Sequence, residues 1–490
     1  MQFTSFEFVF FLPIVFSLFW LVFNRINTKW SNIFLIIVNY VFYGWWNWKI
    51  CFLLLSTTLL TYGAGFYMNY LRQIKPEYDK RTKLHNPIWW INFTTILLCI
   101  GVLGMFKYYD FFILSFRDIF KLLGINLSIT PLGLILPLGI SFYIFQSLTY
   151  TIDIYQHKLK PSNDIVAYFA FMSFFPQLLS GPIGRASRLL PQYENKRVFN
   201  YKLSIVGCWQ ILWGLFMKVC IADRISMYVD AVYSNLDFHN GTSIAIAAIL
   251  YSIQIYCDFA GYSLMAIGIG KLFGVKLDEN FRQPYFAKSI GDFWRRWHIS
   301  LSTWFRDYVY IPLGGNRVSE WRNYFNLFIT FLVSGLWHGA AWSFVLWGAL
   351  HGIYQILYKV RKTYLPFYVL NKKTRDYISP IITFILVTIA WIFFRLTDIN
   401  MACNAIVKIF TSVGAPFIET PVFAYGGASI VLLLIVDIII EHLSKRANMP
   451  DIISKNGVWA ILRYASAIAL ALWIIGAGVF GSGQFIYFQF

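Results

Sequence analysis

Residues 323–359, NYFNLFITFLVSGLWHGAAWSFVLWGALHGIYQILYK, form a long apolar run that is interrupted between Gly335 and Gly339. About 20 apolar residues in a helix cross the hydrocarbon core of a bilayer, so this run predicts a helical hairpin at membrane depth. Non-helical backbone is tolerated there only where it is buried in protein or lines a wet cavity. The break is therefore the first place to look for a functional site.

The composition of the whole chain agrees with a membrane protein. Of its 490 residues, 58% are hydrophobic, 20% are aromatic and only 13% are charged, whereas soluble proteins carry about 25% charged residues. This excludes a cytosolic enzyme, a disordered regulator, a fibrous protein and a disulfide-stapled secreted domain. The aromatic excess fits interfacial belts and an aromatic-lined interior. The cysteines lie mostly in apolar runs without zinc-type spacing, and we expect no metal site.

Ten apolar segments predict membrane spans, and two further stretches are ambiguous. The ten segments are about 8–23, 31–47, 51–71, 89–106, 131–150, 203–221, 242–270, 377–395, 422–441 and 458–480. The ambiguous stretches are 164–181, which contains Pro176, and the hairpin 323–359. We therefore expect an all-α bundle of about 10–12 spans with re-entrant and interfacial helices. No linker interrupts the chain, so we predict one membrane domain over 1–490, with N-terminal helices 1–130, a core 131–360 and C-terminal helices 361–490.

The net charge of +18 is concentrated in loops between the apolar segments. The basic loops are 72–88, 185–202, 271–322, 359–376 and 442–457. Cytoplasmic loops are rich in Lys and Arg, and all five fall on that side if 164–181 is re-entrant and the hairpin returns to its own side. Both termini are then extracytoplasmic. No basic arm carries the motifs of a nucleic-acid reader, so we expect no nucleic acid as a partner.

His338 is the foremost candidate for chemistry. Ionisable groups inside a membrane are costly and mark functional sites, and a neutral imidazole is a common general base. The break in SGLWHG, residues 334–339, would place this side chain deep in the protein. The alternative is a core histidine that binds a neighbouring carbonyl, although such a residue needs no interruption of the helix.

A second histidine, His298, lies in GDFWRRWHISLSTWFRDYVYIP, residues 291–312. Aromatic residues alternate there with Arg295, Arg296 and Arg306, a pattern that predicts an amphipathic helix in the membrane interface. The arginines can bind lipid headgroups. They can equally bind the phosphates of a nucleotide-bearing donor, because guanidinium groups suit phosphate.

Asp258 is a carboxylate within the apolar run 242–270. It can orient a histidine or pair with an arginine, and it can also form a purely structural ion pair. Motifs of other chemistries are missing from the sequence, including HExxH, GxSxG and a Walker loop. A transport pathway needs several intramembrane charges, so the sequence favours an enzyme built around one buried histidine. A transporter that exports an acyl-bearing or glycan substrate is the alternative.

The run 293–315, followed by SGLWHGAAW at 334–342, resembles the signature of the membrane-bound O-acyltransferase family. It is especially similar to the bacterial branch that O-acetylates envelope polysaccharides. LPLGISFYIFQ at 136–146, FFPQLLSGPI at 174–183 and the Asp258 segment support the resemblance, which covers roughly residues 1–360 and the C-terminal end. The related branch that transfers D-alanine to teichoic acids is a close neighbour.

The resemblance implies an enzyme whose helices surround a funnel in the bacterial cytoplasmic membrane, in contact with membrane lipids. It would move an acetyl or other acyl group from a cytoplasmic thioester, acetyl-CoA or an acyl carrier protein, to an envelope polysaccharide outside. His338 matches the near-invariant histidine of the family and His298 its more variable one. We expect no bound cofactor, and we expect a separate extracytoplasmic acetyltransferase as partner. The expected substrate-binding residues are Asp258, Arg295, Arg296, Arg306 and Trp337.

The last six residues, FIYFQF at 485–490, follow a Gly481-Ser482-Gly483 turn. They can form an aromatic anchor in the membrane interface. They also resemble the tyrosine-bearing tail of envelope acylation systems. That resemblance implies that Tyr487 is a covalent acyl relay, activated by His338.

Overall fold

A computed structural model describes residues 1–364, 372–443, 458–481 and 485–486. These residues are helical or irregular and contain no β-strand, which confirms the predicted all-α class. Within these described ranges, seven helical stretches are long and apolar enough to cross a membrane: Phe6–Ile26, Ile50–Ile74, Pro87–Leu122, Tyr201–Ser234, Gly241–Leu272, Thr374–Arg395 and Val422–Leu443. Two shorter apolar helices are Ile399–Thr411 and Ile461–Ala477. The protein is therefore a multi-pass membrane protein.

The chain forms two compact units, Met1–Ile211 with Met265–Asp278 and Leu212–Leu264 with Glu279–Phe490. The α-helices of the first unit are α1 Phe6–Leu18, α2 Thr28–Gly44, α3 Ile50–Ile74, α4 Pro87–Leu103, α5 Tyr109–Leu122, α6 Ile140–Tyr155, α7 Ile165–Ser173 and α8 Ala186–Glu194. The chain passes from one unit to the other within α9, Tyr201–Phe216, again within α11, Gly241–Leu272, and a third time after Asp278. The second unit adds α10 Asp223–Ser234, α12 Ile290–Arg296, α13 Ile299–Phe305, α14 Glu320–His338, α15 Trp342–Tyr364, α16 Lys372–Arg395, α17 Ile399–Thr411, α18 Gly427–Leu443 and α19 Val458–Ala477.

The helix predicted over 131–150 begins only at Ile140. Proline cannot donate the backbone hydrogen bond of a helix interior, and Pro131 and Pro137 both precede α6. Gly139 adopts φ +74°, and a Cβ atom at this position would lie 2.3 Å from the carbonyl oxygen of Leu178. The first half of that prediction was therefore wrong, because the two prolines and the left-handed Gly139 form a turn before Ile140 and prevent a helix there.

The stretch 164–181 is broken, as its proline indicates. Helix α7 ends at Ser173, and a single helical turn, Phe175–Leu178, follows it. The side chain of Asn39 bridges the break: its Nδ2 donates to Ser173 Oγ at 3.1 Å, and its Oδ1 accepts from the Phe175 backbone N–H at 3.1 Å. A buried side chain thus supplies the hydrogen-bond partner that this irregular backbone needs away from water.

The predicted hairpin is present as α14 and α15. The break is shorter than predicted, because α14 continues through Gly335 and ends at His338. Gly335 and Gly348 instead allow the two helices to approach closely. A Cβ atom on Gly335 would lie 2.3 Å from the carbonyl oxygen of Phe344, and one on Gly348 would lie 2.4 Å from that of Phe331.

Gly335→Ala is expected to destabilise the protein, although alanine is the better helix former by about 1 kcal/mol. The added methyl group would meet a backbone carbonyl, and overpacking of this kind costs about 1–3 kcal/mol. Gly476→Ala is the matched control, since a Cβ atom there has no neighbour within 4 Å. Thermal unfolding in detergent should show a lower midpoint for Gly335→Ala only. Equal midpoints for the two variants would contradict the close approach.

Candidate active site

His338 is the last residue of α14, and its side chain is 3% exposed. Three aromatic rings surround the imidazole edge-on or nearly so. The ring centroids lie 4.9 Å from Trp337, 4.9 Å from Trp347 and 5.4 Å from Phe394. These rings exclude bulk water from the imidazole, so the sequence prediction of a deeply placed histidine is consistent with this geometry.

His298 lies between α12 and α13, and its side chain is fully buried. Its backbone adopts φ +43° and ψ +54°, the left-handed region that non-glycine residues seldom occupy. The single amphipathic interfacial helix predicted for this segment was therefore wrong, because the chain breaks into two short helices at Trp297 and His298. Strained backbone of this kind often occurs at functional sites.

Asn280 fixes the break at His298. Its backbone carbonyl accepts from Ile299 N–H at 3.0 Å, and its Oδ1 accepts from Ser300 Oγ at 2.6 Å. Its Nδ2 donates to Ser263 Oγ on α11 at 3.1 Å. Burial lowers the pKa of His298 to about 3, so its imidazole is neutral at neutral pH. No sequence motif surrounds Asn280, so the sequence alone does not mark it as a site residue.

Trp337 connects the two predicted histidines. Its ring centroid lies 6.1 Å from that of His298 and 4.9 Å from that of His338. On its far side, His298 contacts Phe259 of α11 at 4.6 Å. The structure therefore brings His298, Trp337 and His338 together, and we call these three residues with Trp347 the histidine–tryptophan cluster. Two imidazoles among apolar rings can accept and donate protons away from bulk water.

A third histidine, His351, lies beside this cluster. It is fully buried, and its ring centroid lies 4.9 Å from that of Trp347. Its Nδ1 accepts a hydrogen bond from Trp294 Nε1 at 3.3 Å, which places the ring proton of the neutral form on Nε2. The repeated pattern GLWHG and GALHG, 13 residues apart, was the sequence signal for it.

The three predicted arginines do not form one site. Arg296 contacts Asp292 at 3.2 Å and Glu441 at 2.8 Å, and Arg306 contacts Asp307 at 2.7 Å. Arg295 is exposed and has no carboxylate within ion-pair distance among the described residues. Its charge is therefore the one of the three that no acidic side chain of the described chain neutralises.

Among the described residues, Asp258 forms an ion pair with a lysine and with no arginine or histidine. Its Oδ1 lies 2.7 Å from Lys218 Nζ, and Lys218 also contacts Asp223 at 2.7 Å. All three side chains are buried. Lys218 was not among the predicted site residues, although a lysine inside the apolar run 203–221 is itself a signal of a functional site.

Tyr487 lies outside the described residues, whereas the two residues before it are described and buried. Phe485 is 4% exposed and Ile486 is 6% exposed. The Phe485 ring lies 4.7 Å from Tyr262 and 6.2 Å from Phe259. The backbone N–H of Ile486 donates to Asp258 Oδ2 at 2.8 Å. These two residues therefore pack inside the second unit, next to the residue that contacts His298.

Known proteins resemble the chain over most of its length. The model of the membrane-bound O-acyltransferase family (MBOAT) matches residues 45–402. The probable alginate O-acetylase AlgI of Pseudomonas aeruginosa is 37% identical over 403 residues, which cover 82% of this chain and 73% of that protein. The peptidoglycan O-acetyltransferase of Helicobacter pylori is 36% identical over 418 residues, covering 78% and 74%. The teichoic acid D-alanyltransferase of Bacillus subtilis is 30% identical over 239 residues, covering 46% and 60%.

The family match contains both predicted histidines, Trp337 and Asp258. It spans more than half of the chain, and the relatives from Pseudomonas aeruginosa and Helicobacter pylori, which match 82% and 78% of this chain, are named as acetyl-transferring enzymes. The resemblance drawn from the sequence is thereby confirmed. The chain belongs to the membrane-bound O-acyltransferase family and is an acyltransferase.

Proposed function

We propose that this enzyme takes an acetyl group from a cytoplasmic thioester and passes it across the membrane for O-acetylation of an envelope polysaccharide. The observation that carries the proposal is the buried histidine–tryptophan cluster, in which His338 lies among aromatic rings. The names of the relatives support the class of acceptor, since they act on alginate and on peptidoglycan.

In the proposed reaction, His338 is the general base. Its imidazole takes the proton of the acceptor hydroxyl while the hydroxyl oxygen attacks the thioester carbonyl. The carbon–sulfur bond breaks, and the leaving thiolate takes the proton from the imidazolium. The rings of Trp337, Trp347 and Phe394 keep water from hydrolysing the acyl group. The neutral His298 offers a polar group to substrate on the other side of Trp337.

The proposal includes Tyr487 as the first acceptor. His338 takes the phenolic proton, the phenolate oxygen attacks the thioester, and a thiol leaves. A hydroxyl of the polysaccharide, or of a separate extracytoplasmic acetyltransferase, then attacks the tyrosyl ester and regenerates the phenol. The burial of Phe485 and Ile486 beside Phe259 supports this step, since an interfacial anchor would leave such residues exposed to lipid.

The orientation and the donor are parts of the same proposal. The proposal puts the donor side in the bacterial cytoplasm and both termini outside. The basic loops support it, because cytoplasmic loops are rich in Lys and Arg. Acetyl-CoA or an acylated carrier protein then reaches the enzyme from the side that carries Arg295. Its uncompensated guanidinium suits a phosphate group of either donor. Glu441 and Asp292 neutralise Arg296, which makes that residue a weaker phosphate ligand.

The test is an assay of the purified protein in detergent with labelled acetyl-CoA and a glycan acceptor. We expect release of free CoA thiol and label in ester linkage. Passage of intact substrate across proteoliposomes without acyl transfer would indicate a transporter. Exclusive use of a D-alanyl carrier protein would place the enzyme with the teichoic acid relatives.

The same assay tests the donor site through Arg295→Ala. Loss of a phosphate contact should raise KM for a nucleotide-bearing donor about fivefold and leave kcat unchanged, because an exposed charge contact is worth about 1 kcal/mol. Arg282→Ala is the control, since Arg282 is also exposed and pairs with Glu279 at 2.9 Å. A lower kcat with an unchanged KM for the donor would instead favour lipid headgroups as the partners of Arg295.

A further inference from the structure

The stretch between α9 and α10 departs from α-helical geometry, and it forms hydrogen bonds with the segment that follows α19. Residues Met217–Ala222 form a π-helical turn, a geometry that is frequent at functional sites because it displaces backbone groups from the regular ladder. The carbonyl oxygen of Val219 in this turn accepts from Val479 N–H at 3.0 Å. Just beyond it, Arg224 Nη2 donates to the carbonyl oxygen of Ala477 at 2.7 Å, at the end of α19.

Lys218 of the same turn, with Asp223 and Asp258, forms a charge triad. Each carboxylate has an oxygen 2.7 Å from Lys218 Nζ. When all three are ionised, one positive and two negative charges leave the charge triad with an excess negative charge. Asp258 satisfies its second oxygen with the Ile486 backbone N–H at 2.8 Å. The segment 485–486 therefore supplies a backbone N–H to the carboxylate oxygen of Asp258 other than the one that lies 2.7 Å from Lys218 Nζ.

The ring of Phe485 adds a second contact to the charge triad. Its centroid lies 5.8 Å from Lys218 Nζ, within reach of a cation–π interaction. The segment after α19 is thus held at its start by Arg224 and Val219 and at residues 485–486 by the charge triad. Buried ion pairs add little net stability compared with apolar side chains. Stabilisation of the fold is therefore not enough to explain why these ion pairs lie against this segment.

We infer that Lys218, Asp223 and Asp258 are positioning residues that hold the C-terminal segment for acyl transfer. The inference rests on the proposed function, in which Tyr487 accepts the acyl group directly after Ile486 in the sequence. None of the three touches the reacting atoms in the proposed chemistry. Asp258 acts through the backbone of Ile486, and the next residue of α11, Phe259, contacts His298 at 4.6 Å.

Asp258→Ala is the informative variant. It leaves Lys218 and Asp223 as a neutral pair, whereas replacing Lys218 would leave two buried carboxylates together and risk misfolding. Asp437→Ala is the matched control, because Asp437 is also a buried carboxylate of a membrane helix of the second unit. It accepts from Tyr256 OH at 3.2 Å, and it makes no hydrogen bond or ion pair with the described residues after α19.

The first measurement is amide hydrogen exchange of the full chain in detergent, followed on C-terminal peptides. We expect exchange at least tenfold faster in Asp258→Ala than in the parent, an intermediate rate in Asp258→Asn, which retains an acceptor oxygen, and no change in Asp437→Ala. Unchanged exchange in Asp258→Ala would overturn the inference. This readout requires no catalysis, so it does not depend on whether the proposed function holds.

The second measurement is acetyl transfer by the same variants. Asp258→Ala should lose at least tenfold in kcat with KM for the thioester unchanged, and Asp258→Asn should recover part of the loss. Faster exchange with normal kcat would overturn the positioning role and leave the proposed function intact. Failure of the proposed function would appear differently, as absence of transfer by the parent enzyme itself.

Discussion

Replacing His338 with alanine should lower kcat for acetyl transfer by about a thousandfold and leave the protein folded. General-base catalysis contributes about 10²–10⁴-fold to a rate, and the three rings that the structure places against His338, those of Trp337, Trp347 and Phe394, cannot act as bases. KM for the thioester should change little, because the imidazole acts in the transition state.

The matched control is His351→Ala in the same hairpin. This variant removes an equally buried imidazole and creates a cavity of similar size, but it leaves the proposed base in place. We expect it to retain activity within about tenfold of the parent if general-base catalysis is the main difference. Added imidazole should restore part of the activity of His338→Ala and none of that lost by His351→Ala. Near-normal transfer by His338→Ala would remove the assignment of the base.

Tyr487→Phe should abolish transfer to the polysaccharide, because it removes only the oxygen that would carry the acyl group. With donor present and acceptor omitted, the parent enzyme should yield a C-terminal peptide heavier by one acetyl group, and the variant should not. Mass spectrometry of the digested protein checks this directly.

Tyr464→Phe is the control for the tyrosine relay. Tyr464 is an exposed phenol of α19, so its removal should change neither the transfer rate nor the labelling of the C-terminal peptide. Full transfer by Tyr487→Phe would exclude the relay and leave the acyltransferase assignment unchanged, since His338 can then activate the polysaccharide hydroxyl itself.

The sequence predicts correctly those parts of the molecule whose structure depends on residues close together in the chain. The apolar run 323–359 has the length and the central glycines of a hairpin, and α14 and α15 confirm it. The role of His338 as a candidate followed from its place in this run. The span predicted over 131–150 was wrong in its first half, because the hydropathy of this segment carries no information about the turn that its prolines and Gly139 form before Ile140.

The remaining features depend on contacts between distant parts of the chain. The Ile486 N–H and Asp258 are 228 residues apart, and no periodicity connects them. The amphipathic pattern around His298 predicts one helix, since apolar and basic residues alternate through it. The backbone hydrogen bond from Ile299 N–H to Asn280 and the buried contacts of Trp297 stabilise a break there instead.

The left-handed backbone of His298 restricts which amino acids its position can accept. A residue with a Cβ atom pays about 1–2 kcal/mol for this conformation, while glycine adopts it freely and asparagine tolerates it better than most. In a His298→Ala variant, the effect of losing the imidazole could therefore not be separated from the effect of a less favourable backbone conformation. Asparagine separates the two effects, and relatives that lack a histidine here should carry asparagine, aspartate or glycine more often than a β-branched residue.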